Sequence, residues 1–310
     1  MFTKGAKMKQ NKELTHKDLI EKLENLGSEN EIFNYYYIGE SILSRKIPII
    51  TLGDKDAKKS VLYVATHHAT ENICTSTLIS FIEEYLEAYK SIRQICQINL
   101  RYLFKMRKIY IVPMLNPDGV EYRLKGIDDA NPIKQRVVGY NCGSSDFSKW
   151  NANARGVDLN HNYNAYFDTY KEYEKENKIT AGPSKYSGEN AESEPEIQAL
   201  TSFIRYYSDE IQGVLTLHSQ GEEIYYKSNG ICPKGTEIKA RHIAKMTGYA
   251  LSEVKGSSAC GGLTDWCIKE LDMPSFTIEC GRGENPLDIS QASSIYLRLR
   301  ELLFTFPILF

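Results

Sequence analysis

Uncharged apolar runs punctuate the chain at Ile47–Gly53, Val61–Thr66, Ile109–Met114, Gly213–Leu217 and Ser275–Ile278. They are short and rich in β-branched or aromatic residues, which reads as strands. Between them the apolar positions recur at three- and four-residue steps, the stripe of an amphipathic helix. Leu19, Ile20, Leu23 and Leu26 form one stripe behind a capping Thr15, and Ile73, Leu78, Phe81, Ile82, Tyr85, Leu86 and Tyr89 form another. Ile197, Leu200, Ile204 and Tyr207 follow an acidic, proline-bearing helix start at Ser193-Glu194-Pro195-Glu196. Further helices are predicted over 236–247, 264–271 and 289–304. Strands alternating with helices predict an α/β fold: a mixed, largely parallel twisted sheet with helices on both faces, in a single domain. Residues 1–14 read as a solvated leader and 15–310 as the folded domain. The polar stretch 123–153 and the Tyr-rich stretch that runs to Glu192 read as long surface segments, which in a compact domain tend to carry function.

Composition narrows the partners. The chain has 310 residues, 42% hydrophobic and 25% charged, with a net charge of −2. Such a balance gives no reason to expect nucleic acid or an anionic membrane. The Lys-rich start lacks the apolar core of a signal peptide, and no run approaches membrane-spanning length, so a cytoplasmic location is expected. The seven cysteines are scattered with no CxxC pair, which favours reduced, buried thiols.

Chemistry collects at the strand ends. His67 and His68 close the second run, and Glu71 follows His68 by three positions, where the next helix opens. A nitrogen and a carboxylate at that spacing can converge on one cation. The alternative is a core histidine beside a carboxylate that favours the helix N-terminus. His218 ends the fourth run and Glu279 ends the fifth. Two histidines and a glutamate form one kind of catalytic zinc site, with a position left open for water. His67, with no carboxylate three residues on, reads as structural.

The chain resembles the zinc carboxypeptidase (carboxypeptidase A-like) family. The resemblance rests on His68-Ala69-Thr70-Glu71, Asn116-Pro117-Asp118-Gly119, Gly156-Val157-Asp158-Leu159-Asn160, Leu217-His218-Ser219, Gly261-Gly262 with Asp265-Trp266, and Ser275-Phe276-Thr277-Ile278-Glu279, all in the family's order. It implies one zinc ion per chain held by His68, Glu71 and His218. Glu279 would then be the general base, Asp158 the carboxylate that orients His68, and Asn160 a substrate grip. Phe276 and Ile278 are candidates for raising the pKa of Glu279, in so far as strand alternation lets them reach it.

Departures from the family pattern bear on specificity. His161 stands where an arginine usually grips the substrate's terminal carboxylate, and Asn151 where an arginine polarises the scissile carbonyl. Arg155 or Arg136 is left as a replacement. Ser257 takes the place of a tyrosine, and Thr70 that of another arginine. The stretches His218–Tyr226 and Glu279–Leu287 resemble a bacterial branch that includes γ-D-glutamyl-diaminopimelate peptidases. This implies a zinc metallopeptidase acting on cell-wall peptides or soluble muropeptides, with Asn160, His161, Asn151 and Arg155 as substrate-binding candidates. The alternatives are a general metallocarboxypeptidase and a zinc-binding recognition protein without catalysis.

Overall fold

A computed structural model describes residues 12–253, Gly256 and residues 260–310. Ser257 and most of the proposed leader therefore lie outside the described residues. The main sheet has eight strands: β1 Asn34–Glu40, β2 Lys46–Leu52, β3 Ser60–Ala65, β4 Lys108–Val112, β5 Ile211–His218, β6 Glu223–Tyr225, β7 Ala250–Leu251 and β8 Ser275–Glu279. Their spatial order is β1-β2-β4-β3-β5-β8-β6-β7. The central four, β4-β3-β5-β8, run parallel, while β2 joins β4 and β6 joins β8 in antiparallel fashion. The sheet is thus mixed and largely parallel, as the apolar runs predict.

Ten α-helices accompany it among the described residues: α1 His16–Glu29, α2 Ile73–Lys90, α3 Leu100–Met106, α4 Pro117–Lys125, α5 Lys134–Tyr140, α6 Phe167–Asn177, α7 Pro195–Tyr206, α8 Thr236–Thr247, α9 Leu263–Leu271 and α10 Ala292–Thr305. Strand alternation splits the core into two layers. Val61, Tyr63 and Ala65 of β3 pack with α2 and α10, while Leu62 and Val64 pack with α7 and α9. Each fully buried Leu, Ile or Phe side chain in these layers contributes about 1.5–3 kcal/mol. The hydroxyl of Tyr63 avoids a desolvation penalty by donating to the Leu303 carbonyl at 2.8 Å.

Three segments depart from the sequence reading. The stretch 123–153 is more than a surface loop: it contains the end of α4 and all of α5. Tyr122, Val137, Phe147 and Trp150 gather there into a small core of their own. In the Tyr-rich stretch, α6 turns Phe167, Tyr170 and Glu174 inward on one helical face. Edge strand β1 has no apolar run, because most of its side chains are exposed or half-buried.

Candidate metal centre

The parallel strands deliver the candidate ligands together. β3 ends at Ala65, and a 3-10 turn over Ala69–Glu71 leads directly into α2. β5 ends on His218, and Glu279 of β8 sits opposite it in register. Val214, Thr216 and His218 share one face of β5, and Ser275, Thr277 and Glu279 share the same face of β8. Phe276 and Ile278 therefore point the other way, into the α2/α10 layer. They do not flank the Glu279 carboxyl, and that part of the sequence expectation is corrected.

Asn116 sets the path of the His68 loop. Its amide donates to the carbonyls of His67 (2.9 Å), Asn151 (3.1 Å) and Ala152 (3.1 Å). The contact is close enough that Gly119 admits no side chain: a Cβ there would lie 2.3 Å from the Ala152 carbonyl. The same loop is held by Ala69 N–H on the Asn151 carbonyl at 3.0 Å and by the Thr70 hydroxyl on the Asn151 side-chain oxygen. Buried Arg123 donates to the Ala69 carbonyl at 2.8 Å and pairs with Glu13.

His68 Nδ1 lies 2.9 Å from Glu71 Oε1, His218 Nδ1 lies 2.9 Å from Glu71 Oε2, and the two Nδ1 atoms are 3.3 Å apart. Ligands of tetrahedral zinc with bonds of about 2.0–2.1 Å stand about 3.3 Å from one another, so this donor set fits the ion. Among the described residues these three form the group able to hold a metal. Charge points the same way. Desolvation pushes Glu71 up, but the charges of His68 and His218 outweigh it and hold the carboxylate below its ordinary range. Desolvation would lower His68, yet Glu71 and Asp158 outweigh that and raise it well above the usual value. Glu279 is pushed well above the carboxylate range, first by its enclosure and then by the Glu71 charge. The site holds an excess of negative charge that a proton or a cation must balance.

Asp158 takes the outer nitrogen of His68, with Nε2 donating to Oδ1 at 3.1 Å. Its other oxygen accepts the Lys185 N–H at 2.9 Å. Burial would raise Asp158, but the His68 charge keeps it well below the usual carboxylate range. His67 is not part of the donor set. It bonds the Tyr163 hydroxyl at 2.8 Å and stacks on His218 with centroids 5.2 Å apart.

The substrate-binding candidates divide. Asn160, His161 and Glu279 line one cavity of about 120 Å³, with Tyr225, Lys227 and Thr277 among its other walls. Asn160 accepts the Leu263 N–H at 3.2 Å, and His161 Nδ1 donates to the Cys260 carbonyl at 2.7 Å while its ring stacks on Tyr170 at 4.1 Å. Asn151 lies instead against the His68 loop. Arg155 is engaged by Glu194 at 3.0 Å and by the Ser193 carbonyl at 3.2 Å. Arg136 belongs to the exposed face of α5. Sequence reading missed Asn116 as an anchor and Asn285 as a partner of Glu71. Both stood inside stretches that carry the family resemblance, but a turn-forming asparagine does not announce its distant partners.

A His-Glu-His set with Glu71 and His218 buried and His68 half-buried, at the ends of adjacent parallel strands and with a further carboxylate in register beside it, defines a candidate mononuclear metal centre on an α/β scaffold. The chain belongs to the zinc carboxypeptidase family, which matches residues 19–298. It is 32% identical over 259 residues to gamma-D-glutamyl-L-diamino acid endopeptidase 1 of Lysinibacillus sphaericus, covering 84% of this chain and 63% of that protein. The chain therefore spans just under two thirds of that relative's length. Among solved structures it resembles thrombin-activatable fibrinolysis inhibitor, with a TM-score of 0.72 and 18% identity over 96% of this chain and 74% of that one. It also resembles murein-tripeptide amidase MpaA from Escherichia coli O157, with a TM-score of 0.54 and 22% identity over 87% and 91% of the two chains. At these identities the two solved structures speak for the fold alone. No helix among the described residues is long and apolar enough to cross a membrane.

Proposed function

We propose that the protein is a zinc-dependent peptidase that cleaves beside a diamino acid in γ-D-glutamyl-containing cell-wall peptides. The observation that carries the peptidase reading is the register pairing of Glu279 with His218 next to the convergent Nδ1 atoms and Glu71. His68, Glu71 and His218 would hold the ion. Bound zinc supplies a Lewis acid and lowers the pKa of water to about 7. Glu279 stays off the metal, accepts the proton as water attacks the scissile carbonyl, and returns it to the leaving amine. Asp158 keeps the His68 Nε2 proton in place, so that Nδ1 faces the ion. Asn160 and His161 line the cavity beside Glu279 and orient the peptide.

The substrate class is supported by the named activity of the 32%-identical relative. Mass spectrometry of L-Ala-γ-D-Glu-diaminopimelate incubated with the zinc-loaded protein tests it. Cleavage at the γ-D-glutamyl bond is expected. Cleavage of an all-L peptide instead, abolished by C-terminal amidation, would show a general carboxypeptidase. No turnover of either, with zinc bound, would favour a recognition protein.

A further inference from the structure

We propose that Asn285 is the positioning residue for Glu71, serving this ligand as Asp158 serves His68. The inference rests on the metal reading of His68, Glu71 and His218. The Glu71 side chain is only 5% exposed, so its lone pairs must be met from within the protein. Three donors reach it: His68 Nδ1 at 2.9 Å and Asn285 Nδ2 at 3.3 Å on Oε1, and His218 Nδ1 at 2.9 Å on Oε2. Two of the three are the nitrogens that would face the ion. An imidazole nitrogen that ligates a metal carries no proton, so both of those hydrogen bonds end when the ion binds. The Asn285 amide is the donor of the three that survives the change. Metal ligands whose outer atoms are hydrogen-bonded keep their orientation, and loss of such a partner typically costs 10–100-fold in metal affinity.

Asn285 is itself fixed from both ends of its amide. Nδ2 donates to the Ser219 carbonyl at 2.5 Å, and Oδ1 accepts the Ser219 hydroxyl at 2.8 Å. The two acceptors dictate which way the amide faces: the Ser219 carbonyl and the Glu71 carboxylate require the NH2 group, and the Ser219 hydroxyl, free to donate, holds the oxygen. Ser219 follows His218 directly, so these bonds tie the end of β5 to the carboxylate of Glu71. The Lys149 ammonium holds the Asn285 carbonyl at 2.7 Å, which fastens the loop after β8 to the segment that carries Asn151. His218 offers a contrast. Its Nε2 is buried with no hydrogen-bond partner among the described residues, and ring packing on His67 is what steadies it.

The test is zinc affinity, read by competition with a chromophoric chelator, alongside the melting temperature of the zinc-free protein. Asn285→Ala should bind zinc 10–100-fold more weakly with the zinc-free melting temperature unchanged. Asn285→Asp should lose more, because a carboxylate replaces the donor facing Glu71. Ser219→Ala keeps the amide but removes the hydroxyl that anchors its oxygen, and should lose less than Asn285→Ala. Wild-type affinity in Asn285→Ala overturns the inference while leaving the metal reading intact. So does a weakened affinity matched by a lowered zinc-free melting temperature, which is the mark of a merely structural role. If Asn285→Ala does not fold, Ser219→Ala decides: weaker binding at an unchanged zinc-free melting temperature supports the inference, and unchanged binding overturns it. A wild-type protein that does not bind zinc brings down the metal reading itself.

Discussion

Glu196 gives a prediction whose magnitude comes from its surroundings. It lies in the first turn of α7 and is fully buried. Its oxygens receive long contacts from Asn153 Nδ2 at 3.4 Å and from Ile42 N–H at 3.4 Å, and a contact from its own backbone N–H, which together do not offset its burial. Desolvation first, and the nearby Asp118 carboxylate second, push its pKa up to about 8 from an ordinary 4.5. The folded protein therefore keeps Glu196 protonated at neutral pH, whereas the unfolded chain ionises it. A carboxyl whose folded pKa is raised contributes stability below its unfolded pKa and loses it as pH climbs to the folded one. The loss runs at about 1.4 kcal/mol per pH unit, or roughly 3 kcal/mol between pH 4.5 and pH 7. Glu196→Gln has no proton to lose and, like the protonated carboxyl it replaces, keeps one accepting oxygen for Asn153 while its other end becomes a donor beside Ile42. It should match wild type near pH 4.5 and gain on it steadily, reaching up to about 3 kcal/mol at pH 7, or about 5 °C in melting temperature for a chain of this length. Urea unfolding of both proteins at pH 5, 6, 7 and 8 reads the difference directly, since every other titrating group is common to the two. A difference that stays constant with pH would refute the reasoning. The test reaches the site, because Asn153 also receives the Arg155 and Val157 N–H groups and so fixes the chain entering Asp158.

Two further outcomes separate chemistry from metal binding. Glu279→Gln should fold, bind zinc as wild type does, and lose about 10²-fold or more in turnover of the γ-D-glutamyl peptide. Asp158→Asn should weaken zinc binding about 10–100-fold in chelator competition. Its amide cannot accept from both His68 Nε2 and the Lys185 N–H, since one of its ends is now a donor.

The central strands were legible because each is buried on both faces and reads as a continuous apolar run. The ligands were legible because they stand where those runs stop. α5 and α6 were not, since each buries only a few scattered side chains and their charged faces dominate composition. The expected effect of Phe276 and Ile278 on Glu279 fails for a simple reason: adjacent strand residues face opposite ways, and the neighbours that act on a strand carboxylate come from the next strand and the next loop. Strand register brings His218 to Glu279, and the loop after β8 brings Asn285 to Glu71; neither follows from sequence proximity.

The same accounting bears on Asn151 and His161, the two departures from the family pattern that replace substrate-facing arginines. Each could in principle replace an arginine only if its polar atoms were free. The Asn151 side-chain oxygen is taken by Thr70 and its main-chain carbonyl by Ala69 and Asn116, which leaves the side-chain NH2 group as its one uncommitted donor among the described residues. His161 commits Nδ1 to Cys260 and its ring face to Tyr170, which leaves Nε2 as its one unassigned polar atom. A single imidazole nitrogen cannot reproduce the bidentate fork with which a guanidinium holds a terminal carboxylate. Arg155, the nearby alternative in sequence, is held by Glu194. Lys227, a cation lining the cavity beside Glu279, comes from the segment after β6 and is paired with Glu253. A peptide bound only through its C-terminal carboxylate thus meets a weak grip here. The γ-D-glutamyl peptide proposed above carries carboxyl groups and amides at several points, and such a substrate would distribute its contacts over the Asn160 and His161 walls of the cavity instead of relying on one fork.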